Sequence, residues 1–179
     1  GEKMMNETIH TILNRRSIRK YTKQSIPEEI LNQILLAGTY APSAKNQQSA
    51  IILAVTNKEK RDQLSALNAK IMNVDASKDP FYGAPVVLIV LADKNNPNHV
   101  YDGSLVMQNL MLAAKSLNIG SCWIHRAKEM FETQEGKAFL KQHRIPDSYE
   151  GIGNCILGYF DEPNPKPAPR KENSIYWIR

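Results

Sequence analysis

The chain has 179 residues, 42% of them hydrophobic and 23% charged, with a formal net charge of +5. That composition can build a core and excludes a disordered chain, and the length suits one domain, 1–179, or one protomer of an assembly. The modest charge argues against nucleic-acid binding, which calls for a concentrated basic face with stacking aromatics. No apolar run reaches the ~18 residues of a membrane span; the longest, Ala84 to Ala92, is strand-sized. The opening from Gly1 to Glu7 is polar and predicts no signal peptide, so the Asn6-Glu7-Thr8 sequon carries no weight. Cys122 and Cys155 form neither a disulfide framework nor a zinc pattern, and a reducing, cytoplasmic setting is expected.

Ile9, Ile12 and Leu13 recur at helical spacing and predict a first helix over 6–15. Ser25-Ile26-Pro27-Glu28 reads as a capping box opening a second helix, with Ile30, Leu31, Ile34 and Leu35 on its apolar face and Gly38 near its end. The polar stretch Tyr40 to Ser49 is a loop. It leads into Ala50 to Val55, a continuous apolar run that predicts a strand covered on both faces. Asn57 is placed to cap a helix over 58–71, and 73–82 is loop-like.

Pro85 to Ala92 is the clearest buried strand. A turn at 95–98 precedes a long helix marked by Val106, Met107, Leu110, Met111, Ala114 and Leu117, apolar over a wide face and hence central to a core. Asn118-Ile119-Gly120 stops it. Ser121 to Ile124 is a short strand, 128–142 an amphipathic helix, and Gly151 to Tyr159 a last strand. The proline-rich tail, 160–179, is expected to be extended and unable to continue a sheet. It nevertheless ends in Ile175-Tyr176-Trp177-Ile178, so it is expected to cover an apolar surface. The order predicts one central sheet covered by helices, in the α+β or α/β class.

The usual catalytic constellations are missing. The four histidines show no metal spacing. There is no nucleophile elbow or Walker loop. Gly151-x-Gly153 opens no helix, which rules out a dinucleotide fingerprint. A chain without a protein nucleophile or acid–base pair points to chemistry carried by a cofactor. One local signal suits an anionic ligand. Arg15, Arg16, Arg19 and Lys20 place four cations in six residues, and Lys166, Arg170 and Lys171 form a second group. In extended backbone Arg15, Ser17 and Arg19 share a side, and guanidinium forks with a hydroxyl match phosphate oxygens.

These residues also carry a resemblance. Arg15-Arg16-Ser17-Ile18-Arg19-Lys20-Tyr21 resembles the "RRSxRxY" opening of the nitroreductase family of FMN-dependent oxidoreductases. Ala41-Pro42-Ser43-Ala44-Lys45-Asn46-Gln47-Gln48 resembles its "APSxxNxQ" loop, Gly120 to His125 its "GLGSCWI" strand, and Gly158-Tyr159 through Arg170-Lys171 its "GYP…PKPRK" finish. Four motifs in register cover nearly the whole chain.

The resemblance implies an α+β fold with a central mixed sheet flanked by helices and a C-terminal tail exchanged in a homodimer. It implies FMN as cofactor and NADH or NADPH as co-substrate. Two electrons would pass through flavin to a nitroaromatic, quinone or similar small acceptor by a ping-pong route. By position, Arg15, Ser17 and Arg170 match the phosphate grip, Lys171 a second tail cation, and Arg16 the ribityl side. Arg19 matches the cation beside N1 and O2 of the ring. Pro42, Ser43, Ala44 and Asn46 match the loop bordering the ring, and Ile124 and His125 the backbone near N5 and O4. Dehalogenation, flavin breakdown, or flavin binding without turnover are the alternatives on this fold. The sequence departs from the family at Ser49-Ala50, where Pro-Trp is usual, which leaves more room beside the flavin.

Overall fold

The computed structural model describes residues 6–179. The opening read as leaderless falls largely on 1–5, outside the described residues. Four strands, β1 (Ile51–Val55), β2 (Val86–Asp93), β3 (Gly120–Ile124) and β4 (Tyr149–Gly158), form one sheet in the order β1-β2-β4-β3. Six helices surround it: α1 (Glu7–Asn14), α2 (Glu28–Thr39), α3 (Lys58–Ile71), α4 (His99–Ser116), α5 (Ala127–Glu132) and α6 (Gln134–Gln142). Among the described residues no helix is long and apolar enough to cross a membrane.

β2 is the hub. Its residues Val86 to Ala92 are buried on both faces, as the unbroken apolar run predicts. Alternation divides them between two cores. Val86, Leu88 and Val90 pack with Ile34 of α2 and Met107, Leu110 and Met111 of α4. Val87, Ile89 and Leu91 pack with Leu64 and Leu67 of α3, Met130 of α5 and Phe139 of α6. Each fully buried aliphatic side chain contributes roughly 1.5–3 kcal/mol, so this strand anchors both layers. Cys155 and Cys122 are buried free thiols, and burial pushes the Cys155 thiol well above its ordinary range.

The sheet corrects the mixed arrangement expected for it. All three strand pairings are antiparallel. The parallel component is one bridge, Ser17 to Ser121. The reason lies in the β1-to-β2 connection. The 14 residues of α3 carry the chain about 21 Å along the sheet, and residues 72–85 bring it back to the end it left.

Three local expectations also change. The capping box does not form: Pro27 is the N-cap of α2 and no side chain caps it. The proline's extended ψ of 140° places its carbonyl to accept from the Leu31 amide at 3.0 Å, so the first turn starts beyond Ser25's reach. Ile26 and Leu31 share one core and staple the helix entry instead. The helix expected over 128–142 is two helices, broken at Thr133 in extended conformation, whose hydroxyl accepts from the Gly136 amide. A Cβ on Gly136 would lie 1.9 Å from the Met130 carbonyl, so only glycine permits this corner. Finally, β1 is not covered on both faces. It is an edge strand with Ile51, Ile52 and Leu53 half-buried and Ala54 exposed.

The protomer leaves much apolar surface in water. Ile9, Ile12 and Leu13 of α1 are exposed, as are Leu36 of α2 and Val100, Tyr101 and Leu105 of α4. The tail is extended, and residues 161–179 are exposed throughout. Its first part is tied down. Lys20 pairs with Glu162 at 2.7 Å, Asn164 donates to the Asn14 carbonyl at 2.8 Å, and Arg16 Nε to that of Pro165 at 3.1 Å. Its apolar end covers nothing in its own domain: Ile175 to Ile178 are 76–97% exposed.

Candidate functional site

The basic segment follows α1 in extended form along the outer edge of β3. The Ile18 amide donates to the Ser121 carbonyl at 2.9 Å, and the Thr22 amide to that of Tyr159 at 2.8 Å. Ile18 is buried, while Ser17 is half-buried and Arg19 exposed, so strand alternation turns the polar side chains outward. Tyr21 locks the segment. Its hydroxyl donates to the Ile18 carbonyl, and its ring lies where a Cβ on Gly158 would approach to 2.7 Å. Burial pushes the Tyr21 phenol far above its ordinary range.

The cations of the segment divide by task. Arg16 donates to the carbonyls of Leu13, Arg15 and Pro165, so its guanidinium clips the tail to the end of α1. Among the described residues, Arg15 and Arg19 have neither an ion pair nor a side-chain hydrogen bond. Arg170 and Lys171 are exposed, and Arg170 donates only to the nearby Ala168 carbonyl at 2.8 Å. The protomer therefore does not bring the tail cations into contact with Arg15 and Ser17.

The loop with Pro42, Ser43, Ala44 and Asn46 lies elsewhere. It precedes β1, at the opposite edge of the sheet from the basic segment. Three inter-strand steps separate the edges, about 14 Å. The loop is strained: Lys45, Asn46 and Gln48 hold positive φ of 54°, 52° and 52° without being glycine. Such backbone persists only when its surroundings over-determine it. Here Ser43 Oγ accepts from the Gln48 amide at 3.0 Å, and Gln48 Nε2 donates to Asn46 Oδ1 at 3.0 Å. Asn96 reaches Gln47 and Ser49. From α4, Asp102, only 3% exposed, accepts the Ala44 amide on Oδ1 at 3.1 Å. The loop also borders a groove of about 590 Å³ between α2, β1 and α4, lined by Leu36, Pro42, Ile52, Asp102 and Val106 among others.

Ile124 ends β3 and His125 follows it, on the same edge as the basic segment. Their carbonyls point into the domain, where Asn154 of β4 and Asn68 of α3 donate to them. The His125 ring lies tilted against Trp123, centroids 6.3 Å apart. Asp102, Asn68 and Asn154 were not singled out from the sequence. The available signal was a polar residue interrupting an apolar stripe: Asp102 stands four before Val106, Asn68 four after Leu64, and Asn154 amid Ile152, Cys155 and Ile156.

The model of the nitroreductase family matches residues 12–159. The chain belongs to the nitroreductase family. Its fold is similar to that of a nitroreductase with bound FMN from Bacteroides fragilis, with TM-score 0.88, 29% identity, and coverage of 98% of this chain and 100% of that one. A nitroreductase with bound FMN from Desulfitobacterium hafniense gives TM-score 0.85 at 26% identity, covering 98% and 100%. An NADPH-flavin oxidoreductase of Vibrio harveyi is 31% identical over 93% of this chain and 70% of its own length.

The residues present fit a flavin mononucleotide. Among the described residues Arg15 has no ion pair and stands beside the outward Ser17, which suits a phosphate monoester, while Arg19, likewise unpaired, offers a second cation to a longer ligand. Among the described residues, Asp102 Oδ2, Trp123 Nε1 and Asn154 Oδ1 are buried without a protein hydrogen-bond partner.

Proposed function

We propose that this chain is an FMN-dependent NAD(P)H oxidoreductase and that two copies together build each flavin site. The reading rests chiefly on one observation. The unpaired cations Arg15 and Arg19 lie on the β3 edge, while the strained Pro42–Gln48 loop lies on the β1 edge. One flavin touching both sets of residues needs the second set from another copy. The exposed apolar stripes of α1, α2 and α4 and the tail's apolar end support the same assembly, because burial is the favourable route for such surface. The proline-rich part of the tail cannot pair, but residues 170–179 contain no proline, and the uncovered β1 edge beside an apolar groove suits their apolar end, Ile175-Tyr176-Trp177-Ile178, as an added strand.

In this assembly Arg15, Ser17 and Arg170 hold the phosphate, with Lys171 as a further cation. Arg19 is the cation beside the ring, placed to stabilise negative charge that develops there. Pro42, Ser43, Ala44 and Asn46 border the ring, and the Ile124–His125 backbone faces its other edge. FMN, when bound, accepts two electrons from the nicotinamide and returns them to a small acceptor such as a nitroaromatic or quinone. No side chain need act as nucleophile or base, which agrees with the absence of a catalytic dyad. Ping-pong kinetics are expected, with the oxidised nicotinamide leaving before the acceptor binds.

The test is direct. The purified protein is expected to be yellow, with one FMN per protomer. Anaerobic NADH or NADPH is expected to bleach it, and a nitroaromatic or quinone to restore the colour. A colourless protein that also fails to bind added FMN removes the reading. Bound FMN that no nicotinamide reduces leaves a flavin-binding protein without this turnover.

A further inference from the structure

We propose that Asn68 and Asn154 are positioning residues. Together they turn the peptide between His125 and Arg126 so that its N–H faces out of the domain, as a fixed donor toward the flavin ring. The inference rests on the flavin reading above.

Two buried amides from different elements converge on one carbonyl. The His125 oxygen accepts from Asn68 Nδ2 at 2.9 Å and from Asn154 Nδ2 at 3.2 Å, and both asparagines are wholly buried. Asn154 also donates to the Ile124 carbonyl at 3.2 Å, so the end of β3 is held at two successive carbonyls. The peptide is trans, since no cis bond is found among the described residues. In a planar trans peptide the C=O and the following N–H point in opposite directions. A His125 carbonyl pulled inward therefore sends the Arg126 N–H outward.

A second observation concerns strain. Arg126 has φ 77°, a left-handed conformation that a long side chain adopts only under constraint. Asn68 supplies it. While Nδ2 donates to the His125 carbonyl, Oδ1 accepts from Arg126 Nε at 2.9 Å. One side chain thus holds both the His125 carbonyl and the side chain of the residue that follows it. The outward N–H is then a pre-set dipole that needs no reorganisation when a ligand arrives.

The experiment uses full-length protein labelled with ¹⁵N-arginine, and the Arg126→Gly spectrum identifies the Arg126 amide. On adding FMN, the Arg126 amide is expected to shift by more than any other arginine amide outside the 15–19 segment and Arg170. An Arg126 amide that stays put while FMN binds overturns the proposal. Failure of FMN to bind at all overturns the underlying reading instead. Asn68→Asp keeps the acceptor for Arg126 and loses the donor to His125; Asn154→Asp also removes a donor to that carbonyl. Each is expected to leave FMN affinity within about threefold, because the phosphate grip is remote. Each is also expected to lower the reduction rate at saturating nicotinamide at least tenfold and to change the FMN-induced shift at Arg126. Folded asparagine variants that reduce normally overturn the proposal. If the asparagine variants do not fold, the wild-type shift at Arg126 decides it.

Discussion

The two edges of the sheet solve opposite problems. On the β3 edge the chain covers itself: residues 17–22 bridge to Ser121 and Tyr159, Ile18 is buried, and cations stand outward. On the β1 edge, among the described residues, nothing pairs with the outer side of Ile51–Val55, and the strand carries neither proline nor charge to discourage pairing. A bare apolar edge is a liability unless something fills it. The first edge offers unpaired charge and the second offers strained backbone with an apolar groove, and each lacks what the other supplies. Neither region is a site alone. Their complementarity is what suggests that two copies, face to face, complete it.

The most damaging test is to remove the tail. A truncation after Tyr159 deletes Arg170, Lys171 and the apolar end together. The full chain is expected to be a dimer holding FMN. The truncated chain is expected to be monomeric or aggregated and to lose FMN at least ~100-fold, as charge-assisted phosphate contacts and assembly disappear together. Light scattering with FMN absorbance reads both. A truncated dimer that keeps its flavin breaks the link between the edges.

Within the β3 edge, Arg15 and Arg19 are expected to separate. Arg15→Ala removes a phosphate contact, with affinity down about 10- to 100-fold and the rate at saturating FMN within about twofold. That range follows from ~1.5–3 kcal/mol for a hydrogen bond to a charged group. Arg19→Ala leaves affinity nearly intact and slows reduction about tenfold, because its contribution grows as charge develops. Flavin titration and stopped-flow reduction distinguish the two; identical losses for both variants reject the division of roles.

How far these edges can be read from sequence depends on what residue type encodes. The unbroken run Val86 to Ala92 announces a buried strand because both its faces meet helices. Ala50 to Val55 reads the same way, yet forms an edge, because an apolar run does not say which chain covers it. The paired arginines, the proline-rich tail and α4 were legible from spacing and composition. The break at Thr133 was not, because the amphipathic period continues through it. Nor was the left-handed backbone at Lys45 and Gln48, where no glycine marks the turn. Asp102, Asn68 and Asn154 were individually visible as polar interruptions, but these partners lie 29 to 58 residues away in sequence and only the fold joins them.

The β1-edge loop can be loosened without touching the arginines. Asp102→Ala leaves the half-buried Ala44 amide without its acceptor, which costs about 1–3 kcal/mol. For a chain of this size the melting temperature is then expected to fall by roughly 2–12 °C. Asp102→Asn retains an oxygen for the Ala44 amide and is expected to recover most of that loss. FMN affinity is expected to drop with the alanine variant and recover with asparagine. Hydrogen exchange at Ala44 reports whether the loop has opened; unchanged exchange in Asp102→Ala detaches Asp102 from the loop.

The smallest effect on the flavin site is expected from a cluster on neither edge. Asp79, in the segment before β2, accepts from Arg61, from Ser65 Oγ at 2.6 Å, and from the Phe81 and Gly83 amides at 2.9 and 2.7 Å. Burial acts to raise its pKa, but these hydrogen bonds prevail and hold the carboxyl below its ordinary 3.8. A carboxyl lowered on folding stabilises fully above the unfolded value and loses that contribution as pH falls through the lower folded one. Because about a third of the Asp79 side chain is exposed (32%), solvent screening limits the acid-sensitive contribution to roughly 1 kcal/mol. Asp79→Asn carries no such titration. The stability gap between wild type and Asp79→Asn, measured in urea, is therefore expected to be constant from pH 7 to about 5 and to narrow below 3.8. FMN affinity at pH 7 is expected to stay within about twofold. A gap that widens in acid reverses the sign of the argument, and a large loss of FMN ties this cluster to the edges after all.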